Sequence, residues 1–294
     1  MPELPEIEAY LAALRPRLVG EALERVRVQS FSLLRTYDPP IDAITGSVVS
    51  GLHRLGKRVV IDLDDGHHIV IHLMIAGRFR WLDAGAAIPK RRGLAAFDFS
   101  SGTLVLTEAG SKRRATLHVV TDDGLTGLDP GGAELHDLDG AGFGERFTRE
   151  RHTLKRTLTD ARLFSGIGGA FADEILWRAR LSPTQMNQNL SDEELSRLFA
   201  EAQAVLDEWT DIRVAETGDG FPTKVTAFHP GMGVHGKYGE PCPVCAAPVQ
   251  RIVHGGRETN YCPGCQTGGK ILADRSLSRL LKDDWPRTLE ELEG

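Results

Sequence analysis

Every cysteine of this chain belongs to one cluster, Cys242-x2-Cys245 and Cys262-x2-Cys265, with sixteen residues between the two pairs. Each C-x-x-C corner offers two thiolates from a tight turn, and the intervening segment brings the chain back to the same point. That is the ligand set of a tetrahedral zinc site. Two disulfides or an iron site are the alternatives. Four-cysteine zinc sites are mostly structural staples, so the cluster fixes a local fold without naming a function.

The chain has 294 residues, 41% of them hydrophobic and 26% charged, which gives room for two or three domains with a sizeable core. No stretch approaches the roughly 18 apolar residues of a membrane span. The start, Met1-Pro2-Glu3-Leu4-Pro5-Glu6, is acidic and lacks a basic-then-apolar signal pattern. Reduced thiols and no spare cysteine suit the cytosol. A net charge of -6 and a pI of about 5.9 argue against indiscriminate nucleic-acid binding, yet leave space for a local basic groove.

Ile7, Leu11, Leu14 and Leu18 lie at helical spacing behind Pro5, a residue suited to a first turn. From about 20 to 120 short strands take over, clearest at 59–63, 69–73, 96–99 and 103–106. Asp64-Asp65-Gly66 and Ser100-Ser101-Gly102 read as hairpin turns, giving an antiparallel β domain with one leading helix. Residues 121–145, rich in Gly and Asp, read as a linker. Helical signals dominate from about 147 to 212, with a capping box at Ser191-x-x-Glu194. Residues 213–235 look loop-like, and the tail 267–294 has apolar positions enough for one short helix.

Four features could carry chemistry. Loss of Met1 would expose the secondary amine of Pro2; an α-amino group titrates near neutrality, and such an amine attacking a sugar C1′ gives an iminium that eases later elimination. Glu3 would sit beside it as general acid or base. The plainer reading is a pair of helix-starting residues. Gly166-Ile167-Gly168 running into a helix presents backbone N–H groups to an anion, or is merely a tight turn. Lys57 precedes a strand and could be simply solvated. Gly255-Gly256 reads as a hairpin turn that holds Arg257 near the tip of a zinc-braced finger, where a guanidinium suits a phosphate; a solvated hairpin arginine is the alternative.

In order along the chain stand Met1-Pro2-Glu3-Leu4-Pro5-Glu6, Lys57, Gly166-Ile167-Gly168 with Ala172-Asp173-Glu174-Ile175-Leu176, His235-Gly236-Lys237-Tyr238-Gly239-Glu240-Pro241-Cys242, and Arg257-x-Thr259-x-Tyr261-Cys262-x-x-Cys265-Gln266. Over residues 1 to about 266 this resembles the formamidopyrimidine-DNA glycosylase / endonuclease VIII family. The resemblance implies an α+β architecture: an antiparallel β-sandwich with a leading helix (1–124), a linker (125–145), a helix-two-turn-helix domain (146–230), a four-cysteine zinc finger (231–268) and an extension (269–294). Damaged double-stranded DNA, or single strands, would lie in the cleft between domains, bound by a monomer. It further implies one structural Zn2+ on Cys242, Cys245, Cys262 and Cys265. Pro2 would be the Schiff-base nucleophile and Glu3 the acid at the sugar ring. Lys57 would assist β-elimination, and Arg257 the phosphate contact and δ-elimination. Lys155, Arg113, Arg114, Gly169, Met74 and Ile75 would be further DNA contacts. A cytoplasmic location, nucleoid-associated in a bacterium, follows from that activity.

The departures fall at the DNA contacts. Gly169 stands where the family usually has asparagine, a loss of one side-chain hydrogen bond of about 1 kcal/mol. His72-Leu73-Met74-Ile75-Ala76-Gly77 replaces His-Leu-Gly-Met-Ser-Gly, so Ile75 or a shifted Met74 takes the place of the methionine that enters the duplex. The loop Glu108–Ala115 puts Ala115 where an intercalating phenylalanine is usual. The expected function is a bifunctional glycosylase and abasic-site lyase. A family member with altered lesion or DNA-form preference, or a non-catalytic damaged-DNA-binding protein, are the alternatives.

Overall fold

The helical spacing read near the start becomes α1, Leu4–Leu18, whose Ile7, Tyr10, Leu11, Leu14 and Leu18 are all fully buried. The helix opens with a capping box in which the Glu6 carboxylate accepts the Glu3 N–H at 2.8 Å. The structure, a computed structural model, describes the chain apart from Ser111, Lys224, Ala227, Arg275, Ser276, Lys282, Asp283, Asp284 and Gly294. Ser111 of the Glu108–Ala115 loop therefore lies outside the described residues. Two units emerge: Met1–Gly131 with Glu208–Ala227, and Gly132–Asp207 with Phe228–Gly294.

The first unit holds eight strands: β1 Arg25–Val28, β2 Val49–Leu55, β3 Arg58–Leu63, β4 His68–His72, β5 Gly77–Leu82, β6 Gly93–Phe99, β7 Gly102–Glu108 and β8 Thr116–Val120. They form two antiparallel four-stranded sheets, ordered β1-β6-β7-β5 and β2-β3-β4-β8. Alternation decides which residues face the core: Val59, Ile61, Ile69, Ile71, Leu117 and Val119 of one sheet join Phe79, Phe97, Phe99, Leu104 and Leu106 of the other, together with α1. Each such side chain contributes roughly 1.5–3 kcal/mol by burial. Strands β6 and β7 are buried on both faces because the segment after β5 crosses their outer side, where Gly85 donates to Thr103 Oγ1 and Arg27 donates to the Ala86 carbonyl.

The stretch expected to be a linker is not irregular. It contains α2, Asp122–Leu128, and the start of α3, Gly140–Thr148. Asp122 and Asp123 sit where the helix dipole favours anions, and Asp139 caps α3 by accepting the Gly142 N–H at 2.7 Å. Aspartate that reads as a turn former in sequence is here a helix starter. Helix α2 lays Leu125 and Leu128 over Val60, Val70 and Val120 on the outer face of the second sheet.

In the second unit, Phe143 and Phe147 of α3 pack with Phe164 and Phe199 at ring separations of 4.8 to 6.1 Å. Helices α4, Leu154–Leu158, and α5, Gly169–Arg178, are joined through the glycine-rich turn. Ser191 and Glu194 exchange the capping-box bonds expected of them and start α6, Asp192–Thr217. That helix outruns its expected end near 212, and its residues from Glu208 on belong to the first unit. Strands β9, Gln250–His254, and β10, Arg257–Tyr261, form the finger hairpin, followed by α7, Pro263–Gln266. The tail has two short helices, α8 Leu277–Leu281 and α9 Leu289–Glu293, where one was expected. No helix among the described residues is long and apolar enough to cross a membrane.

Candidate active site and zinc centre

Pro2 and Glu3 are buried at the entrance to α1. Burial lowers the pKa of the amino terminus; Glu3 and Glu6 oppose that, while Arg78 and Lys57 add to it. Four side chains thus share one electrostatic neighbourhood around the first residues. Glu6, nearly inaccessible, is pushed up to about 7 by burial, against the Glu3 N–H and the Arg213 guanidinium, which lies 3.2 Å away. Arg213 also donates to the Thr226 carbonyl and to Glu216.

Lys57 lies in a two-residue turn, because Leu55 of β2 pairs directly with Arg58 of β3. Gly56 has φ +61°, which L side chains rarely adopt, so the glycine lets the turn form and aims the next residue. Burial lowers the Lys57 pKa, opposed by Glu3 and Glu6. A desolvated amine near two carboxylates is the kind of group that serves as a proton carrier.

Beyond β4 the chain turns sharply. Met74 has φ +52°, its N–H donates to His72 Nδ1 at 2.9 Å, and Ile75 projects with 57% exposure. His72 is brought down to about 4 by burial and by Arg58, Lys57 and His118, so it is neutral. Arg113 and Arg114 are exposed, whereas Ala115 is buried with its N–H bound to Glu108. Ala115 is thus an anchor of the loop and offers no wedge; Ile75 is the apolar side chain that does project.

In the second unit Gly166 has φ +76°, which favours glycine for backbone reasons, and Gly168 caps α5 from extended backbone. Gly169 is different. A Cβ built on it meets nothing within 4 Å. Asp173 and Glu174, next on α5, are buried acids. Glu174 accepts the N–H groups of Gly233, Val234 and His235 at 2.8 to 2.9 Å, and burial raises its pKa. Asp173 accepts from Lys155 Nζ at 2.6 Å and from the Asn260 N–H at 3.1 Å, and pairs with His235 Nδ1 at 2.9 Å. Lys155 also donates to the Glu258 carbonyl at 3.0 Å. Lys155 thereby ties α5 to β10.

The finger turn is as the sequence foretold. His254 pairs with Arg257, and Gly255 and Gly256 both have positive φ, which a type I′ hairpin requires. Arg257 is exposed as the first residue of β10. The four cysteines are reduced, and their Sγ atoms lie within 4.8 Å of one another, with Cys242–Cys265 at 3.8 Å and Cys245–Cys262 at 3.3 Å. Tetrahedral zinc with bonds of about 2.3 Å needs sulfur separations of roughly 3.8 Å, so the donor set fits the ion. Burial would raise the Cys242 pKa, but the Val244 and Cys245 amides, Cys262 and Trp177 outweigh it and bring it down to about 7. Gln266 accepts the Cys262 N–H at 2.7 Å and donates to the Leu181 carbonyl, tying the finger to its own unit.

The structure gathers Pro2, Glu3 and Lys57 in the first unit and Lys155, Gly169, Arg257 and the cysteines in the second. Glu6, Arg213, Asp173 and Arg78 escaped the sequence reading as site residues. Glu6 and Asp173 lie within the segments Met1–Glu6 and Ala172–Leu176, but nothing local marks their burial.

A two-sheet sandwich led by a helix, a helix-turn-helix unit and a four-thiolate finger define a zinc-finger DNA glycosylase fold. Three family descriptions match consecutively: formamidopyrimidine-DNA glycosylase N-terminal domain over residues 1–117, formamidopyrimidine-DNA glycosylase H2TH domain over 127–218, and the zinc finger found in FPG and IleRS over 239–268. The chain is 30% identical to a formamidopyrimidine-DNA glycosylase of an Exiguobacterium species and 31% identical to that of Pelotomaculum thermopropionicum, in each case over 90% of this chain and 99% of the relative. A Lactococcus lactis FPG variant in complex with Fapy-dG-containing DNA superposes with a TM-score of 0.81 at 24% identity, covering 90% of this chain and all of that one. MutM in complex with carbocyclic 8-oxo-G-containing DNA gives 0.78 at 25% identity, with the same coverage. The chain belongs to the formamidopyrimidine-DNA glycosylase family, and its cysteine cluster is the site of one structural zinc.

Proposed function

We propose that this DNA glycosylase of base-excision repair is bifunctional, removing a damaged base from DNA and then cutting the strand. The observation that carries the reading is the placement of Pro2 and Glu3, both buried at the start of α1, in one electrostatic neighbourhood with Glu6 and Lys57. Once Met1 is gone, the Pro2 nitrogen attacks C1′ while the bond to the base breaks and its electron pair leaves with the base. Glu3 delivers a proton to O4′ as the sugar ring opens, leaving an iminium. Loss of a C2′ proton to Lys57 then expels the 3′ phosphate, and Arg257 holds phosphate in its finger. Zinc, when bound, supplies no reacting atom; it fixes the hairpin that carries Arg257.

Borohydride reduction of the protein with a damaged oligonucleotide tests this. A covalent adduct is expected with the wild type, mapped by peptide mass spectrometry to the amino-terminal nitrogen of Pro2. An adduct mapped to another residue would move the nucleophile elsewhere, and no adduct with any lesion or abasic site would favour a non-catalytic DNA binder. A second reading, altered lesion preference, is favoured by the buried Ala115, which leaves the Glu108–Ala115 loop without an apolar wedge.

A further inference from the structure

The zinc ligands sit at the base of the finger, while Arg257 stands at its far end, five residues before Cys262. At about 3.3 Å per residue that is roughly 16 Å of strand. A sway of about 5° at the base would move the far end by roughly 1.4 Å, and a misplacement of about 1 Å can cost on the order of a hundredfold in rate. A lone two-stranded hairpin is marginally stable in water, so a metal at the base leaves the far end to be held by something else.

The hydrogen bonds along the hairpin's two edges do that. His254 and Arg257 flank the two-residue turn as a bonded pair, so Val253 with Glu258, and Arg251 with Asn260, turn their backbone groups outward. On the β10 edge these groups are met by the helices: the Glu258 carbonyl accepts from Lys155 of α4, and the Asn260 N–H donates to Asp173 of α5. On the β9 edge the Val253 N–H donates at 2.7 Å to the carboxylate of Asp274, a residue only 2% exposed. Two buried carboxylates thus grip the hairpin from opposite edges. The second comes from the tail, beyond residue 268 where the matched zinc finger ends.

The tail is itself tied down. The Leu272 N–H donates at 2.8 Å to the hydroxyl of Tyr261, a fully buried residue of β10. Ile271 is buried and its N–H donates to the Arg287 carbonyl at 2.9 Å, while the Leu289 N–H donates to the Gly269 carbonyl at 3.0 Å. The chain therefore folds back onto the stretch that carries Asp274. Resting on the reading that Arg257 holds phosphate, we propose that residues 270–274 are a second brace of the finger, working alongside zinc, and that Asp274 is a positioning residue for Arg257. The metal fixes the base of the hairpin, and Asp274 fixes the edge of β9 four residues before the arginine. Contact with DNA stays with Arg257; the tail sets where its guanidinium stands.

The test uses the full-length, zinc-loaded protein, with a duplex carrying a tetrahydrofuran abasic analogue for binding and a natural abasic site for single-turnover cleavage. Asp274→Ala removes the acceptor. It should keep one equivalent of zinc, weaken binding about fivefold, slow cleavage, and lower the slope of log K against log salt toward that of Arg257→Ala. Asp274→Asn keeps an oxygen acceptor for the Val253 N–H and should bind within about twofold of the wild type. In the Arg257→Ala background, Asp274→Ala should cost no more than about a further twofold, because no guanidinium is left to place. A general loss of fold would instead give losses that multiply in the double variant and a salt slope unchanged from the wild type. Either of those results overturns the proposal, as does zinc loss or wild-type affinity in Asp274→Ala, or an Asp274→Asn as weak as Asp274→Ala. If Arg257→Ala itself binds and cuts like the wild type, the phosphate reading of Arg257 falls and takes this proposal with it.

Discussion

Burial lifts the Glu6 carboxyl from about 4.5 to about 7 even though Arg213 and the Glu3 N–H bind its ionised form. The folded pKa is therefore above the unfolded one. The stability this group contributes is complete below about pH 4.5 and is lost as the pH rises through about 7. The amount is on the order of 3 kcal/mol. Glu6→Gln should flatten the fall in Tm between about pH 5 and about pH 8. A variant whose Tm falls as steeply as the wild type over that window would show that Glu6 does not titrate there. Gly169 makes the opposite kind of case, a residue with room to spare: no atom lies within 4 Å of a Cβ built on it, and its backbone does not need glycine. Gly169→Asn should therefore fold normally and regain a phosphate hydrogen bond, tightening DNA binding about fivefold to tenfold. Titration by fluorescence anisotropy at fixed salt would measure it, and unchanged affinity would show that the turn does not meet a phosphate.

At the level of elements, the Asp173 carboxylate joins three pieces: Lys155 of α4, His235 of the loop before the finger, and the Asn260 N–H of β10. Breaking a buried pair leaves an uncompensated charge, so Lys155→Met should destabilise by about 2–4 kcal/mol, measured by urea unfolding. The same variant separates a strut from a phosphate contact. A lysine on a phosphate would, when removed, reduce the slope of log K against log salt by about 1. Lys155→Met should lower affinity and leave that slope in place. This is also where legibility in the sequence ends. The cysteine pairs, the Ser191–Glu194 box and the Gly255-Gly256 turn were readable because their partners are at most a few residues apart. The Lys155 role was not, since its acceptors lie 18 and 103 residues along the chain, and Glu6 meets Arg213 across 207. Helices α2 and α3 were hidden for a local reason: Asp and Gly signal turns and helix starts alike, and what marks α3 as a helix is the burial of Phe143 and Phe147 on one face.

Over the whole molecule, the acidic net charge of -6 means that DNA must be held by a few placed cations against general repulsion. The finger is the place where such a cation depends on something other than packing. Apart from Val234, Val249 and the cysteines themselves, its buried apolar cluster is small, with Trp177 and Ala247 packed at the edge, so the thiolates must be gathered by an ion for the hairpin to hold its form. Removing zinc with a chelator should therefore abolish DNA binding and strand cleavage together and lower the thermal stability of the second unit. The β-sandwich, whose core draws on α1 and both sheets, should keep its own unfolding transition. Arg257→Ala should behave differently: it lies outside the thiolate set and is exposed, so the protein should retain one equivalent of zinc by metal analysis while losing phosphate affinity. Full DNA binding by the zinc-stripped protein, or zinc loss in Arg257→Ala, would separate the metal from the job assigned to it. The zinc-stripped protein and the Arg257→Ala variant thus distinguish what the ion does, which is to hold a shape, from what the guanidinium does, which is to use it.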